Sequence, residues 1–196
     1  GCCLGELEAD ALIRVDGQGH PLAPLPAGVR PTSEMLMHLA VYQSRPDVSA
    51  ILHAHPPVTI AFSIAGASLE ECVIPEVIVG LGTIPTVPYT TPTTADTARA
   101  VGEAIRRRDA LVLEHHGSVT VGTNIKEAFY KLDKVEHSAR ILLAARQLGA
   151  VRPLPPDEVE RLLAIRDRMG LPPLVPGSLP PRTGRSPEGH PDGLGY

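Results

Sequence analysis

The stretch richest in chemistry is Ile51–Pro57, in which His53 and His55 close an apolar run and two prolines follow. In a β-strand, residues i and i+2 point to the same face, so a strand over 50–55 would aim both imidazoles in one direction. Neutral imidazole is a common ligand of zinc and similar ions. The spacing therefore predicts two adjacent ligands of a metal site. The plainer alternatives are two exposed histidines at a strand end, or one core histidine with a hydrogen-bond partner.

A second histidine pair, His115-His116, ends another apolar run and is followed by Gly117. Catalytic zinc sites commonly use three protein ligands and leave one coordination position for water or substrate. His53 and His55 with either His115 or His116 would give that number. Alternation along a strand puts His115 and His116 on opposite faces and does not decide between them. Gly117 permits a tight turn or a close backbone approach.

A carboxylate and two hydroxyls, Thr32-Ser33-Glu34, precede the first helical pattern. In the first helical turn, Glu34 would complement the helix dipole, worth ~0.3–1 kcal/mol. Near a metal it would instead serve as general base or as a displaceable ligand. The hydroxyls of Thr32 and Ser33, with the N–H groups of the helix start, form a candidate phosphate site. We interpret His38, one turn after Glu34, as structural, and it is the rival ligand.

The remaining pattern interleaves strands and helices, which predicts an α/β fold with a sheet covered by helices. Strands are expected over 11–16, 48–55, 72–79, 84–90, 110–116 and 118–121. Helices are expected from a cap at Thr32 or Ser33 to just before Pro46, and over 58–65, 94–108, 124–148 and 157–169. Thr93 or Thr94 should cap the third helix, and Asp157 the last.

Length and composition favour one domain over residues 1–170. The Pro- and Gly-rich residues 171–196 are expected to form a disordered tail. A net charge of −4 argues against a general nucleic-acid surface. Three cysteines do not make a disulfide framework, and they suit the cytoplasm. No apolar stretch reaches the ~20 residues of a membrane span, and no signal peptide is visible.

Several motifs occur together in one order: Pro31-Thr32-Ser33-Glu34, Tyr42-Gln43-Ser44-Arg45-Pro46-Asp47, His53-Ala54-His55-Pro56-Pro57 and His115-His116-Gly117. In this order they resemble the class II aldolase/adducin family over roughly residues 1–169. The resemblance implies a three-layer α/β/α sandwich with a central, largely antiparallel sheet. It also implies a homotetramer with active sites between subunits.

The resemblance assigns the metal ligands to His53, His55 and His116, the catalytic acid/base to Glu34, and substrate phosphate binding to Thr32 and Ser33. The implied ion is Zn²⁺, although three imidazoles also suit Mn²⁺ or Co²⁺. The implied reaction is aldol cleavage of a small phosphorylated ketose, such as L-fuculose 1-phosphate, to dihydroxyacetone phosphate and an aldehyde. Alternatives are a 4-epimerase, a sugar-acid phosphate decarboxylase or a dehydratase. A non-catalytic, adducin-like interaction domain is the last alternative.

The chain departs from the family pattern at two places. Family members have a Gly-Asn-x-Ser-type phosphate loop, which would precede Gly1, so we expect the N-terminal part of a longer protein to be missing. Ile74 stands where the aldolases of the family have a catalytic tyrosine. Tyr89 matches a different position. The substrate and the proton donor are therefore left open.

Overall fold

The structure, a computed structural model, describes residues 7–171. Cys2, Cys3 and all but the first residue of the predicted tail lie outside this range. Six α-helices are observed: α1 Met35–Ser44, α2 Pro57–Ile64, α3 Pro75–Gly80, α4 Ala95–Ala104, α5 Ile125–Leu148 and α6 Pro156–Arg168. Four strands form the sheet: β1 Ala50–Ala54, β2 Thr86–Val87, β3 Ala110–Leu113 and β4 Gly117–Gly122. Short 3₁₀ turns occupy Ala9–Ala11 and Ile105–Arg107.

The sheet has the strand order β1-β4-β3-β2. Strand β4 pairs antiparallel with both β1 and β3, and only the short β2 runs parallel to its neighbour. Ala54 lies opposite Ser118, and Leu113 lies opposite Gly117. The β3–β4 turn therefore lies beside the carboxyl end of β1, although more than 60 residues of sequence separate them. This register brings the two histidine segments together.

Helices cover both faces of the sheet. Helices α1 and α4 pack on one face through a core that contains Met37, Val41, Val101, Ile105, Leu111, Leu113, Val119 and Val121. Helices α2, α3 and α5 pack on the other, around Phe62, Val77, Ala110, Val112, Val135, Ala139 and Leu142. Helix α6 packs on α3. The neighbouring apolar residues Leu111 and Val112 of β3 point to opposite faces of the sheet, and each is buried in one of the two cores. The predicted α/β sandwich with a largely antiparallel sheet is confirmed.

Two predicted strands are wrong. Residues 11–16 form no strand: a single bridge joins Val15 to Pro21, and the Asp16 side chain accepts the backbone N–H groups of Gln18 and His20, which turns the chain back. Within 72–79, helix α3 begins at Pro75. Proline has no N–H to lose at the first helical position and its φ is already helical, so a short helix fits there.

The helix caps agree with the sequence at some positions and not at others. Thr94 caps α4 by accepting the N–H of Thr97, as predicted. Helix α1, however, begins at Met35 with Glu34 as its N-cap, so neither Thr32 nor Ser33 caps it. Pro155 precedes α6, and Asp157 lies inside its first turn instead of capping it. None of the helices within residues 7–171 has the length and apolar character of a bilayer-crossing segment.

Candidate active site

Three histidines converge at the carboxyl end of β1. His53 is the penultimate position of β1, His55 follows the strand, and His116 comes from the β3–β4 turn. Their ring centroids lie 4.8–5.1 Å apart. One potential ligand nitrogen from each lies within 4.8 Å of the others. The fold therefore brings together the same three residues that the sequence analysis proposed as ligands, and their role as ligands stays a prediction.

The hydrogen bonding of His53 leaves one nitrogen free for a ligand. Its Nδ1 lies 3.0 Å from the carbonyl oxygen of Ser118, so Nδ1 carries the proton and donates it. Its Nε2 is consequently a lone-pair acceptor, and that atom is buried with no hydrogen-bond partner within residues 7–171. A buried acceptor without a partner is costly unless something binds it. A divalent cation fits this donor set, because such a backbone contact orients a metal-binding imidazole.

The electrostatics of the cluster favour neutral imidazoles. Burial, together with the neighbouring His116, His55 and His38, lowers the pKa of His53 to about 4, against the opposing hydrogen bond to Ser118. Burial also lowers the pKa of His116, and the charge of Glu34 works against that shift. Neutral imidazole is the form that ligates a metal. His53 and His116 are thus in their ligating form at neutral pH.

Gly117 is the point of closest packing behind the cluster. A Cβ at this position would collide with the carbonyl oxygen of Ala54, and it would lie 2.9 Å from His55 Cδ2 and 3.2 Å from His53 Cε1. The close approach that the sequence suggested is confirmed.

Strand β3, in contrast, ends at Leu113, so the predicted strand over 110–116 is too long.

The turn at 114–116 decides which histidine joins the cluster. His115 has a left-handed backbone, with φ of 58°, and its N–H donates to Ser63 Oγ at 3.0 Å. Its ring lies 6.2 Å from that of Tyr89 and outside the cluster. His116 points toward His53 and His55 instead. Alternation could not have decided this, because residues 114–116 form a turn and have no strand periodicity.

Glu34 lies close enough to the cluster for its charge to act on His116. Its Oε2 is buried, and no group in the described part of the chain hydrogen-bonds to it. Its side chain makes no cap hydrogen bond, although Glu34 is the N-cap of α1, a position at which its charge complements the helix dipole. His38 lies one turn further along α1, where burial lowers its pKa, and it is not part of the histidine cluster.

Thr32 and Ser33 are exposed in the turn before α1. Thr32 already occupies two N–H groups of the predicted phosphate site: its Oγ1 accepts from Glu34 at 3.3 Å and its carbonyl from Met35 at 3.3 Å. Two of the N–H groups at the start of α1 are therefore already engaged within the turn, and phosphate binding at Thr32 and Ser33 stays a prediction. The hydroxyl hydrogen of Thr32 and that of Ser33 remain accessible from solvent.

Ile74, at the position of the family's catalytic tyrosine, and Tyr89, the tyrosine at a different position, lie in different environments. Ile74 is 9% exposed and belongs to the core between α2, α3 and α5. Tyr89 is 56% exposed, and its backbone N–H donates to Glu114 at 2.7 Å. The Tyr89 ring thus lies at the surface beside His115. No local sequence pattern indicates the contacts of Ser118 with His53 or of Ser63 with His115, because both pairs are far apart along the chain.

A mixed sheet between two helical layers, with three imidazoles gathered at one strand end, defines an α/β sandwich protein with a candidate metal centre. The family model described as "Class II Aldolase and Adducin N-terminal domain" matches residues 1–143. The chain belongs to this family.

Characterised relatives carry more than one activity. The chain is 30% identical to the 3-oxo-tetronate 4-phosphate decarboxylase of Pectobacterium atrosepticum over 168 residues, which cover 83% of the chain and 74% of the relative. It is 31% identical to the L-fuculose phosphate aldolase of Escherichia coli K12 over 153 residues, covering 78% and 69%.

Similar solved structures are also named for more than one activity. An L-fuculose 1-phosphate aldolase superposes with a TM-score of 0.73 at 26% identity, covering 85% of this chain and 76% of that one. YgbL from Escherichia coli, whose activity is left undecided among aldolase, epimerase and decarboxylase, superposes with a TM-score of 0.72 at 30% identity, covering 83% of this chain and 78% of that one. The fold and family are shared across these activities, so neither of them selects the reaction.

Proposed function

We propose that this protein is a metal-dependent lyase that breaks a carbon–carbon bond in a small phosphorylated sugar or sugar acid. The observation that carries the proposal is the gathering of His53, His55 and His116 around the unpaired, buried Nε2 of His53. A divalent cation at these imidazoles, Zn²⁺ first and Mn²⁺ or Co²⁺ next, would supply Lewis-acid stabilisation of negative charge on substrate oxygens.

The chain's own side chains are proposed to perform three tasks. Neutral imidazoles from His53, His55 and His116 hold the cation without cancelling its charge. Glu34 moves the proton, since its unpartnered Oε2 has a free acceptor position beside the cluster. The exposed hydroxyls of Thr32 and Ser33 donate to the substrate phosphate.

Two different bond cleavages lead to the same enediolate. Retro-aldol cleavage of a ketose 1-phosphate removes the C4 hydroxyl proton, breaks C3–C4 and releases an aldehyde. Decarboxylation of a 3-oxo-tetronate 4-phosphate breaks C1–C2 and releases CO₂. Protonation of the enediolate gives dihydroxyacetone phosphate in both cases. Aldol cleavage is the first candidate, and decarboxylation is the second.

The second candidate is favoured by Ile74. Both reactions need a proton returned to the enediolate, which is the role proposed for Glu34, but only aldol cleavage also needs a group that takes the C4 hydroxyl proton. An apolar side chain buried in the core at Ile74 supplies no such group. The identities of 30% to a 3-oxo-tetronate 4-phosphate decarboxylase and 31% to an L-fuculose phosphate aldolase are compatible with either candidate.

The co-product decides between the two reactions. Metal-loaded protein should be supplied with L-fuculose 1-phosphate and, separately, with 3-oxo-tetronate 4-phosphate, with dihydroxyacetone phosphate measured in both. Its release with an aldehyde supports the aldolase, and its release with CO₂ supports the decarboxylase. Absence of dihydroxyacetone phosphate from both substrates would contradict the lyase proposal and favour the epimerase or dehydratase.

Metal analysis tests the site independently of the reaction. The purified protein should hold about one divalent ion per chain. The double variant His53→Ala/His55→Ala should hold none, while His115→Asn should retain the metal, because His115 lies outside the cluster and asparagine tolerates its left-handed backbone. Metal retained by the double variant, or absent from the wild type, would contradict the site. Absence would favour the non-catalytic interaction domain.

We further propose a cytoplasmic homotetramer. Support comes from exposed apolar side chains near the start of α5, where Ile125, Phe129 and Tyr130 are 62%, 54% and 57% exposed. Large exposed apolar residues close together are typical of protein interfaces. Sedimentation equilibrium of the wild type should give a tetramer, and a monomer at micromolar concentration would contradict this assembly.

A further inference from the structure

Helix α2 connects the two segments that carry the histidine cluster. It begins at Pro57, two residues after His55. In its last turns, Ser63 Oγ accepts the N–H of His115 at 3.0 Å, directly beside His116. A shift of α2 therefore changes the position of His55 relative to His116.

The amino end of α2 has no local cap. Its N-cap is Pro56, which offers no side-chain acceptor, and Pro57 has no N–H. Ile60 already donates to the Pro56 carbonyl at 3.0 Å. Among the orphan donors of a helix start, only the N–H groups of Val58 and Thr59 then need partners from elsewhere.

Glu136, in the middle of α5, supplies both partners. Its Oε1 accepts the N–H of Val58 at 3.3 Å, and its Oε2 accepts the N–H of Thr59 at 3.0 Å and the Thr59 hydroxyl at 2.9 Å. Its side chain is only 13% exposed, and Arg140 donates to it at 3.1 Å. A carboxylate at this position also complements the helix dipole.

We propose that Glu136 is a positioning residue for the histidine cluster, acting by holding the start of α2 so that His55 stays in place beside His53 and His116. This inference rests on the proposed metal site. Glu136 does not touch the imidazoles. Its effect must therefore appear in the affinity and geometry of metal binding, as well as in stability.

Titration with Co²⁺, followed by its visible absorption, tests this role without any substrate. Glu136→Gln keeps the size of the side chain but turns an amide toward donors, so it should weaken Co²⁺ binding by about tenfold or more and alter the absorption band. Thr59→Val, which removes only the hydroxyl donor, should weaken binding less.

The matched control is Glu127→Gln, on the same helix. The Glu127 carboxylate also accepts a backbone N–H, from Thr123 at 2.8 Å, and pairs with Lys131 at 2.6 Å, but it does not touch α2. This variant should lower the urea midpoint and leave the Co²⁺ affinity and spectrum unchanged. It thus separates lost stability from lost positioning.

The outcomes are distinguishable. Wild-type Co²⁺ affinity and spectrum in both Glu136→Gln and Thr59→Val would overturn this inference alone. Equal losses of Co²⁺ affinity in Glu136→Gln and Glu127→Gln would overturn it too, because they would show that any loss of folding stability weakens Co²⁺ binding. Failure of the wild type to bind Co²⁺ would instead contradict the proposed metal site, and this inference with it.

Discussion

At the scale of single residues, Gly117 controls how closely the histidine segments pack. Gly117→Ala should weaken Co²⁺ binding by about tenfold or more, since overpacking costs about 1–3 kcal/mol and here displaces His53, His55 or the Ala54 carbonyl. Gly17→Ala is the control, because nothing lies within 4 Å of its added methyl. Co²⁺ titration of both variants measures the effect, and equal affinities would contradict it.

The proposed proton-transfer role of Glu34 predicts a separation between binding and turnover. Glu34→Gln keeps the size of the side chain but cannot take a proton, so kcat should fall by about 10²–10⁴-fold while the metal content stays unchanged. Steady-state kinetics and metal analysis on the same preparation check both parts. An unchanged kcat would leave Glu34 with only a role at the start of α1.

The burial of His53 predicts how the metal-free protein responds to acid. Its pKa is about 4 in the folded chain and 6.5 as the ordinary value, so protons bind the unfolded state more readily as the pH falls below 6.5. The stability from a neutral His53 is thus present above pH 6.5 and is lost progressively as the pH falls toward 4. The loss is about 2 kcal/mol between pH 7 and pH 5.

Urea unfolding of the metal-free protein at several pH values measures this loss. The comparison variant is His53→Gln, which should show a shallower fall in unfolding free energy over the same range. Carboxylates titrate mainly below this range, so they contribute little to the difference. Equal slopes for the wild type and the variant would contradict the prediction.

At the scale of elements, the long helix α5 depends on its cap. Asn124 accepts the N–H of Glu127 at 2.9 Å, and Glu127 in turn accepts the N–H of Thr123. Asn124→Ala should therefore lower the unfolding free energy by about 1 kcal/mol. Urea denaturation checks it, with Asn124→Asp as the conservative variant that should retain most of the stability. A loss as large in Asn124→Asp would contradict capping as the cause.

The elements also show which patterns can be predicted from sequence. Apolar spacing near 3.6 residues predicts α1, α4 and α5, whereas prolines, a cap residue and bounding glycines predict α2 and α6. Helix α3 has only six residues within an apolar run, which periodicity cannot distinguish from a strand. Residues 11–16 have the composition of a strand but no neighbour to pair with beyond a single bridge.

At the scale of the whole molecule, a buried ion network joins the helical layers on the two sides of the sheet. Arg45, at the end of α1, binds Asp109 at 3.0 Å and the Arg108 carbonyl at 2.6 Å, and Lys131 of α5 binds the same Asp109 at 2.8 Å. Asp109 is 4% exposed. The start of β3 is thereby held between α1 and α5.

Removal of one partner from this network should be costly. Arg45→Leu should lower the unfolding free energy by about 3 kcal/mol, because Asp109 stays buried with one counter-charge fewer. Arg99→Ala breaks a solvent-screened pair with the exposed Asp96 and should cost much less than Arg45→Leu. Urea denaturation of both variants gives the comparison, and similar costs would contradict the role of burial.

The sequence by itself determined the element types that have long periodicity and the residue types that a metal would require. His53 and His55 are two residues apart, so local strand geometry already brings them to one side. The motif order also determined the family. These features depend on neighbouring residues, whose geometry the backbone dictates.

Only the tertiary structure decided the features that join distant residues. The β1–β4–β3 register brings His116 beside His53, and the turn at 114–116 excludes His115. The same folding supplies the Ser118 carbonyl to His53 and the Glu136 carboxylate to the uncapped start of α2. Each contact spans more than 60 residues, so no local pattern specifies it. It exists because the chain must bury both faces of one sheet and pair its buried backbone donors.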